Sequence, residues 1–406
     1  MFTSRHHIMK RSLTLSVMDT GRIRELLEKN ILEYWLTLED PRGGFFGEVS
    51  GRGEIDRDAP RGAILYARII WAFSAAYRVL GKPAYKDVAA RTVRWFLDHF
   101  ADPVSGGVFW SLRFDGAPLD TKKQLYSQGF AIYGLSEYVK ATGDKEALDA
   151  AKSIFSTIEA HFKDGANGGY IEALGRDFSP LEDMSLSASD ISCDKTMNSH
   201  LHLLEAYAAL YGVWPDPSLK KAVEDLLEIL CTRIMGPDGH LRLYFDRKWN
   251  ILPGGTSWGH DIETSWLALE CAMALNDEAA VEKVMPAARK MGAAGNAGLS
   301  ADDGTSQWWA YAEAVVGAFG TVGEAGKAAV AAQGIEAVGS AGKELPWVAL
   351  VAYVPYDGVV RRVEGGEQGE GELDHTKGGG KMPAIGRDRA NDSLTQFLRQ
   401  CLLLLE

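Results

Sequence analysis

Cysteine is scarce and scattered. The four in 406 residues, Cys193, Cys231, Cys271 and Cys401, form no C-x-x-C pair. Neither a thiolate zinc cluster nor a disulfide framework is indicated, and a reducing cytoplasm is the simplest location. Basic charge is outweighed, with 43 Lys and Arg against 55 Asp and Glu and a formal net charge of −12. With no basic stretch to neutralise phosphates, the chain is not expected to bind nucleic acid. No apolar run is as long as a bilayer span, the terminal "CLLLLE" being a fragment of one, so no membrane partner is expected. The opening "MFTSRHHIMKRSLTLSVMD" has a basic flank, but its apolar part is too short for a signal peptide and no convincing cleavage site follows. Residues 1–17 are expected to be a disordered leader.

What is present is helical periodicity from end to end, about twelve segments running from "RIRELLEKNILEYW" through "AILYARIIWAFSAAYRVL" to "DSLTQFLRQCLLLLE". Between alternate helices lie glycine-containing, strand-like stretches: "RGGFFGEVS", "GGVFWSLRFDGAP", "NGGYIEALGRDF" and "GHLRLYFDRKWN". This alternation of long and short connections predicts an all-α fold, a closed ring of helical hairpins with the long loops gathered at one mouth. The period looks too degenerate for a solenoid motif. One domain is expected over residues 18–406, with 340–392 divergent, glycine-rich and acidic. "LKKAVEDLLEIL" and "YKDVAARTVRWF" read as amphipathic outer helices. "ARIIWAFSAAY", "MNSHLHLLEAY", "GHDIETSW" and "WWAYAEAVVG" carry polar groups inside apolar helices, which is costly unless they line a wet cavity.

Helical spacing groups those polar residues. His260, Glu263 and Trp266 fall near one stripe; Asn198, His202 and Glu205 form another, with His200 on a different side of the same helix. Trp309 and Glu313 are four apart, as are Tyr126 and Phe130, and Arg68 and Trp71 are three apart. Taken singly, Arg68 could be half of a buried ion pair, and each Trp or His a packing residue. The coincidence of stripes on several helices points to a site.

Three chemistries fit such stripes. A metal could be held by His260, Glu263, His202 and Glu313, but no H-E-x-x-H or H-x-x-E-H occurs, and tryptophan and arginine are poor company for a cation. Glycoside hydrolysis could use Glu263 and Glu313, leaving the histidines idle. Proton transfer at a sugar carbon beside a carbonyl needs a base titrating near neutrality, an opposing acid, and donors for the enediolate oxygen. Histidine supplies the first, Arg68 and Asn198 the last, and Glu263 could orient His260.

At these motifs the sequence resembles the N-acylglucosamine 2-epimerase superfamily over about residues 20–320. "KKQLYSQGFAIYGLSEY" and the four polar helices quoted above carry the resemblance, in the family's order. It implies an (α/α)6 barrel and cofactor-independent, metal-free epimerisation at C2 of the reducing-end glucose of β-1,4-linked disaccharides such as cellobiose and lactose. Sister activities are mannose and N-acylglucosamine epimerisation and aldose–ketose isomerisation. By motif, His260 is a general acid/base with Glu263 as partner, Arg68 and Asn198 hold the enediolate and substrate oxygens, and His202 assists ring opening. Trp266, Trp309 and Glu313 line the sugar site, and Trp308 and Tyr126 help bind it. A carbohydrate is the expected partner, for a monomer or weak homodimer.

One departure stands out. The family closes with C-P-Y-H-N-x-R, whose histidine is the second acid/base. Here "KMPAIGRDRA" keeps a ghost of that pattern, with Ile385 about where the histidine belongs. The only histidine downstream of His260 is His375, in a glycine-rich acidic stretch. So abrupt a loss resembles a shift of reading frame. Two expectations follow: His375 takes the catalytic role, or the chain is a sugar-binding relic with impaired turnover.

Overall fold

The computed structural model describes residues 27–50, 53–186 and 190–301, together with Gly21, Arg24, Glu25, Ala310 and Glu313. A π-helical stretch, Leu27–Leu32, runs into α1 (Glu33–Leu36). Four helical hairpins follow: α2 (Ala63–Leu80) with α3 (Pro83–His99), and α4 (Leu125–Thr142) with α5 (Lys145–His161). Then come α6 (Met197–Tyr211) with α7 (Pro217–Ile229), and α8 (Trp258–Ala274) with α9 (Glu278–Ala301). Helices α2, α4, α6 and α8 pack side by side in chain order, and each also packs on the helix that follows it. This is the inner and outer layering of an (α/α)6 barrel, four of whose pairs lie among the described residues. The helices expected from Trp308 onward, the 340–392 region and the 1–17 leader lie outside them.

Burial sorts the layers as polarity predicts. Every residue of α2 from Ala63 to Ala76 is buried, and so is every residue of α4 from Leu125 to Val139. In contrast, α3 and α7 bury one stripe each, Val88, Val93 and Phe96 in the first and Leu219, Val223 and Leu226 in the second. Helix α2 corrects one expectation: with 18 residues of mean hydropathy 1.3 it is long and apolar enough to cross a membrane, yet 78% of it is buried inside the protein. Neighbouring helices cover its apolar surface.

Short turns join each inner helix to its outer partner. Gly81 and Gly143 end α2 and α4 with φ of 70° and 73°, a left-handed stop that glycine adopts without a Cβ clash. Pro83 and Pro217 then start α3 and α7, where a missing N–H costs nothing. Inner helices also touch closely: a Cβ on buried Gly134 would run into the Ala67 carbonyl oxygen of α2. Gly134→Ala is therefore expected to lower stability by about 1–3 kcal/mol through overpacking, read as a drop in the urea midpoint.

The long connections, whose period is too degenerate for a solenoid motif, carry copies of one module. Asp40, Asp102 and Asp164 are each 62 residues apart and open "DPRGGFF", "DPVSGGVF" and "DGANGGYI". In each, one carboxylate oxygen accepts backbone N–H groups of the turn, from Arg42, Val104, or Ala166 and Asn167. The other oxygen accepts from a buried cation two residues ahead of the next inner helix: Arg61 at 2.5 Å, Lys123 at 3.0 Å and Lys195 at 2.9 Å. Those cations lie in β1 (Arg61–Gly62), β2 (Lys123–Gln124) and β3 (Lys195–Thr196), each paired antiparallel with a strand of the next module.

The fourth residue of each inner helix completes the module by holding the hairpin backbone. Tyr66 Oη and the Gln128 amide each both donate to and accept from one residue, Phe45 and Val108. His200 Nε2 accepts from Tyr170 N, and Asp261 Oδ1 from Leu241 N. In the fourth module Gly236 and Thr256 stand where the aspartate and cation would be, so the pair is lost as a unit.

Candidate active site

With the inner helices anchored alike, equal positions along them meet. The sixth residues of α2, α4, α6 and α8 are Arg68, Phe130, His202 and Glu263, all polar except one and all buried. The Arg68 guanidinium lies 4.4 Å from the Phe130 ring centroid, and the Phe130 ring 5.2 Å from that of His202. Arg68 Nη2 donates to Tyr126 Oη at 3.3 Å, and the Tyr126 ring stands edge-on to His202 at 5.3 Å. Asn198, one turn nearer the N-terminus of α6 than His202, has a buried Oδ1 with no hydrogen-bond partner among the described residues.

The ninth residues form the next layer down: Trp71, Tyr133, Glu205 and Trp266. Trp71 stacks on Tyr133 with centroids 5.5 Å apart. Trp266 Nε1 donates to Glu313 Oε2 at 3.0 Å, so two expected sugar-lining residues are joined in a buried bond. Glu205 Oε2 lies 3.0 Å from His202 Nδ1. An ionised carboxylate only accepts, so Nδ1 carries the hydrogen and Nε2 is left for other work. Burial disfavours the imidazolium, but the Glu205 hydrogen bond and the charges of Glu263 and Glu205 outweigh burial and the opposing charge of Arg68. The net effect holds the His202 pKa above its usual 6.5.

That shift has a sign for stability. A raised folded-state pKa adds stability that is fully present below 6.5 and is lost as pH rises through the folded value. Glu205→Gln removes the larger part of the cause, leaving the charge of Glu263, so the stability gap between wild type and variant is expected to be wider at pH 6 than at pH 9 in urea titrations. An equal gap at both would contradict the coupling.

His260, the third residue of α8, is half-buried, and its Nδ1 lies 2.7 Å from Ser257 Oγ. Sequence spacing pairs Glu263 with His260; in the structure the charge of Glu263 acts on His202, and His260 meets Ser257. His200 lies off the stripe, as its spacing predicts. Its Nδ1 meets Thr196 O at 2.7 Å, and burial pushes its pKa down to about 4, leaving a neutral strut. The structure thus brings together Arg68, Tyr126, His202 and Glu263, and beside them Trp266 with Glu313. Trp308, Trp309 and His375 lie outside the described residues. Phe130 and Glu205 carry more of the geometry than their spacing alone conveyed. Glu205 was legible as the continuation of the Asn198–His202 stripe, whereas the cation–π role of Phe130 needs a neighbouring helix.

Known proteins share this architecture. The sequence profile of the N-acylglucosamine 2-epimerase (GlcNAc 2-epimerase) family matches residues 44–341. A cellobiose 2-epimerase from Bacteroides fragilis is 45% identical over 310 residues, 72% of this chain and 79% of that protein. One from Dictyoglomus turgidum is 35% identical over 311 residues, 73% of this chain and 79% of that protein. The solved structure of cellobiose 2-epimerase from Spirochaeta thermophila superposes with a TM-score of 0.74 at 31% identity, covering 95% of this chain and 97% of that one. With that profile match and those identities, a barrel carrying a buried His, Glu and Arg cluster belongs to the N-acylglucosamine 2-epimerase family and is a carbohydrate epimerase, an enzyme of the isomerase class.

Proposed function

We propose that this chain inverts C2 of the reducing-end glucose in β-1,4-linked disaccharides, converting cellobiose to glucosyl-mannose and lactose to epilactose without a cofactor. The observation that carries the reading is the interior cluster of Arg68, Tyr126, His202 and Glu263 on four neighbouring helices. Relatives described as cellobiose 2-epimerases support the substrate class.

In this reading His202 Nε2 exchanges a proton with the sugar oxygens as the ring opens. His260 takes the C2 hydrogen, giving a cis-enediolate. Negative charge then builds on the oxygens, met by the Arg68 guanidinium, the Asn198 amide and the positive ends of the inner-helix dipoles, since all these residues lie in the first two turns. Rotation about C2–C3 turns the other face, and a second acid returns the proton. That acid is assigned to His375, the only histidine downstream of His260. Trp266, Trp308, Trp309, Glu313 and Tyr126 bound the sugar.

Chromatography of cellobiose, lactose and mannose after incubation with the protein tests the reading. New epimer peaks are expected from the disaccharides; free glucose would mean hydrolysis, and a ketose product would mean isomerisation. Calorimetric binding with no new peak would leave a sugar-binding relic. His375→Asn is expected to lose turnover and keep binding; unchanged turnover would pass the second acid role to another group.

A further inference from the structure

Glu205 has two faces. One oxygen takes the His202 hydrogen bond, and the same side chain lines a cavity of about 260 Å³ toward the C-terminal ends of the inner helices, away from the end where Arg68, Asn198 and His260 lie. Tyr133, Ser136 and Ala209 also line this space, and exposed Lys140 and Glu270 stand at its rim. Ser136 is 1% exposed and its Oγ has no hydrogen-bond partner among the described residues. A buried hydroxyl facing a space with room for several waters, and with carboxylates such as Glu205 beside it, is ordinarily satisfied by one.

We propose that Glu205 is the positioning residue that connects His202 to this rear cavity, through which the pair exchanges protons with solvent while a sugar fills the mouth. The inference rests on His202 facing the sugar, as proposed above. A proton leaving the imidazole at Nδ1 passes to the Glu205 carboxylate and from there to a cavity water, which hands it to bulk; uptake runs in reverse. No other bond is made or broken. Among the described residues, the other charged groups that act on His202 are Arg68 and Glu263.

Chemical rescue tests it. Glu205→Ala extends the rear cavity toward His202, and added formate, a small carboxylate, is expected to enter it and restore most of the lost kcat. The Glu205→Ala/Ala209→Leu double variant narrows the route and is expected to lose that rescue. Glu205→Gln, which keeps the shape, is expected to show no rescue and confirms that space is needed. Formate acting equally on the single and double variants, or not at all on a single variant with an unchanged melting temperature, would overturn the proposal. The His202 imidazole titration, followed by NMR in the same proteins, gives a second readout. Formate should move its pKa back up in the single variant only, and this needs no turnover. A shift without epimerisation in wild type would therefore count against the epimerase reading and not against the rear route, whereas no shift would sink the route itself.

Discussion

Glutamine at His202 is expected to cut kcat for disaccharide epimerisation by about 10²–10⁴-fold, the usual worth of a positioned acid or base. Its place explains why. The ring is pinned on one nitrogen by Glu205, flanked by Tyr126 and Phe130, and held above its ordinary pKa. Such an imidazole can give a proton to a ring oxygen near neutral pH and regain it. Glutamine can still donate toward Glu205 but carries no titrating proton, so folding should survive while ring opening slows. Steady-state rates and a thermal melt on the same preparation separate the two effects. A variant with full kcat would remove His202 from the chemistry, and one that fails to fold would make it a packing residue.

Methionine at Lys195 is expected to cost about 3–5 kcal/mol of stability, the range for breaking a buried ion pair from one side. The ammonium is fully buried and all its donors are used, by Asp164 at 2.9 Å, Gly168 O at 2.8 Å and Arg247 O at 2.7 Å. Burial raises the Asp164 pKa, but hydrogen bonds from Lys195 and Asn167 pull it down to about 2. A depressed carboxylate pKa gives stability that is present above the ordinary 3.8 and lost as pH falls toward 2. Without Lys195 the acid transition should move to higher pH, alongside the lower urea midpoint. Because Lys195 precedes α6, which carries Asn198, His202 and Glu205, activity should fall before the chain unfolds globally. A midpoint unchanged at neutral pH would show that the cation is not holding the module.

Much of this was legible in the sequence, and the reasons are physical. Period-3.6 patterning separated α2, α6 and α8, apolar helices with polar groups inside them, from α3 and α7, apolar on one stripe, because burial on every side and burial on one leave different patterns. Spacing on a single helix joined Asn198, His202 and Glu205, and the structure confirms the last pair at 3.0 Å. Partners on different helices were not legible. Arg68 over Phe130, and Trp266 against Glu313, depend on the register between helices, which no single segment encodes. The repeat is hidden in the sequence for another reason. Its constant elements are an aspartate, a glycine pair and a distant cation, while the intervening residues vary. The interval from Asp to cation is 21 residues for Asp40–Arg61 and Asp102–Lys123 but 31 for Asp164–Lys195. Of its constant elements, only the aspartates, 62 residues apart, keep the period. The same module places His200 as a strut in the series Tyr66, Gln128, His200, Asp261.

The most direct measurement is to run the conversion of cellobiose in heavy water and locate the label in the product by NMR. Proton removal and return by side chains open to exchange predicts deuterium at C2 of the new epimer and at no other carbon. Epimer formed with protium alone at C2 would contradict proton transfer through these residues, because the hydrogen would then have moved without ever reaching a group that exchanges with solvent.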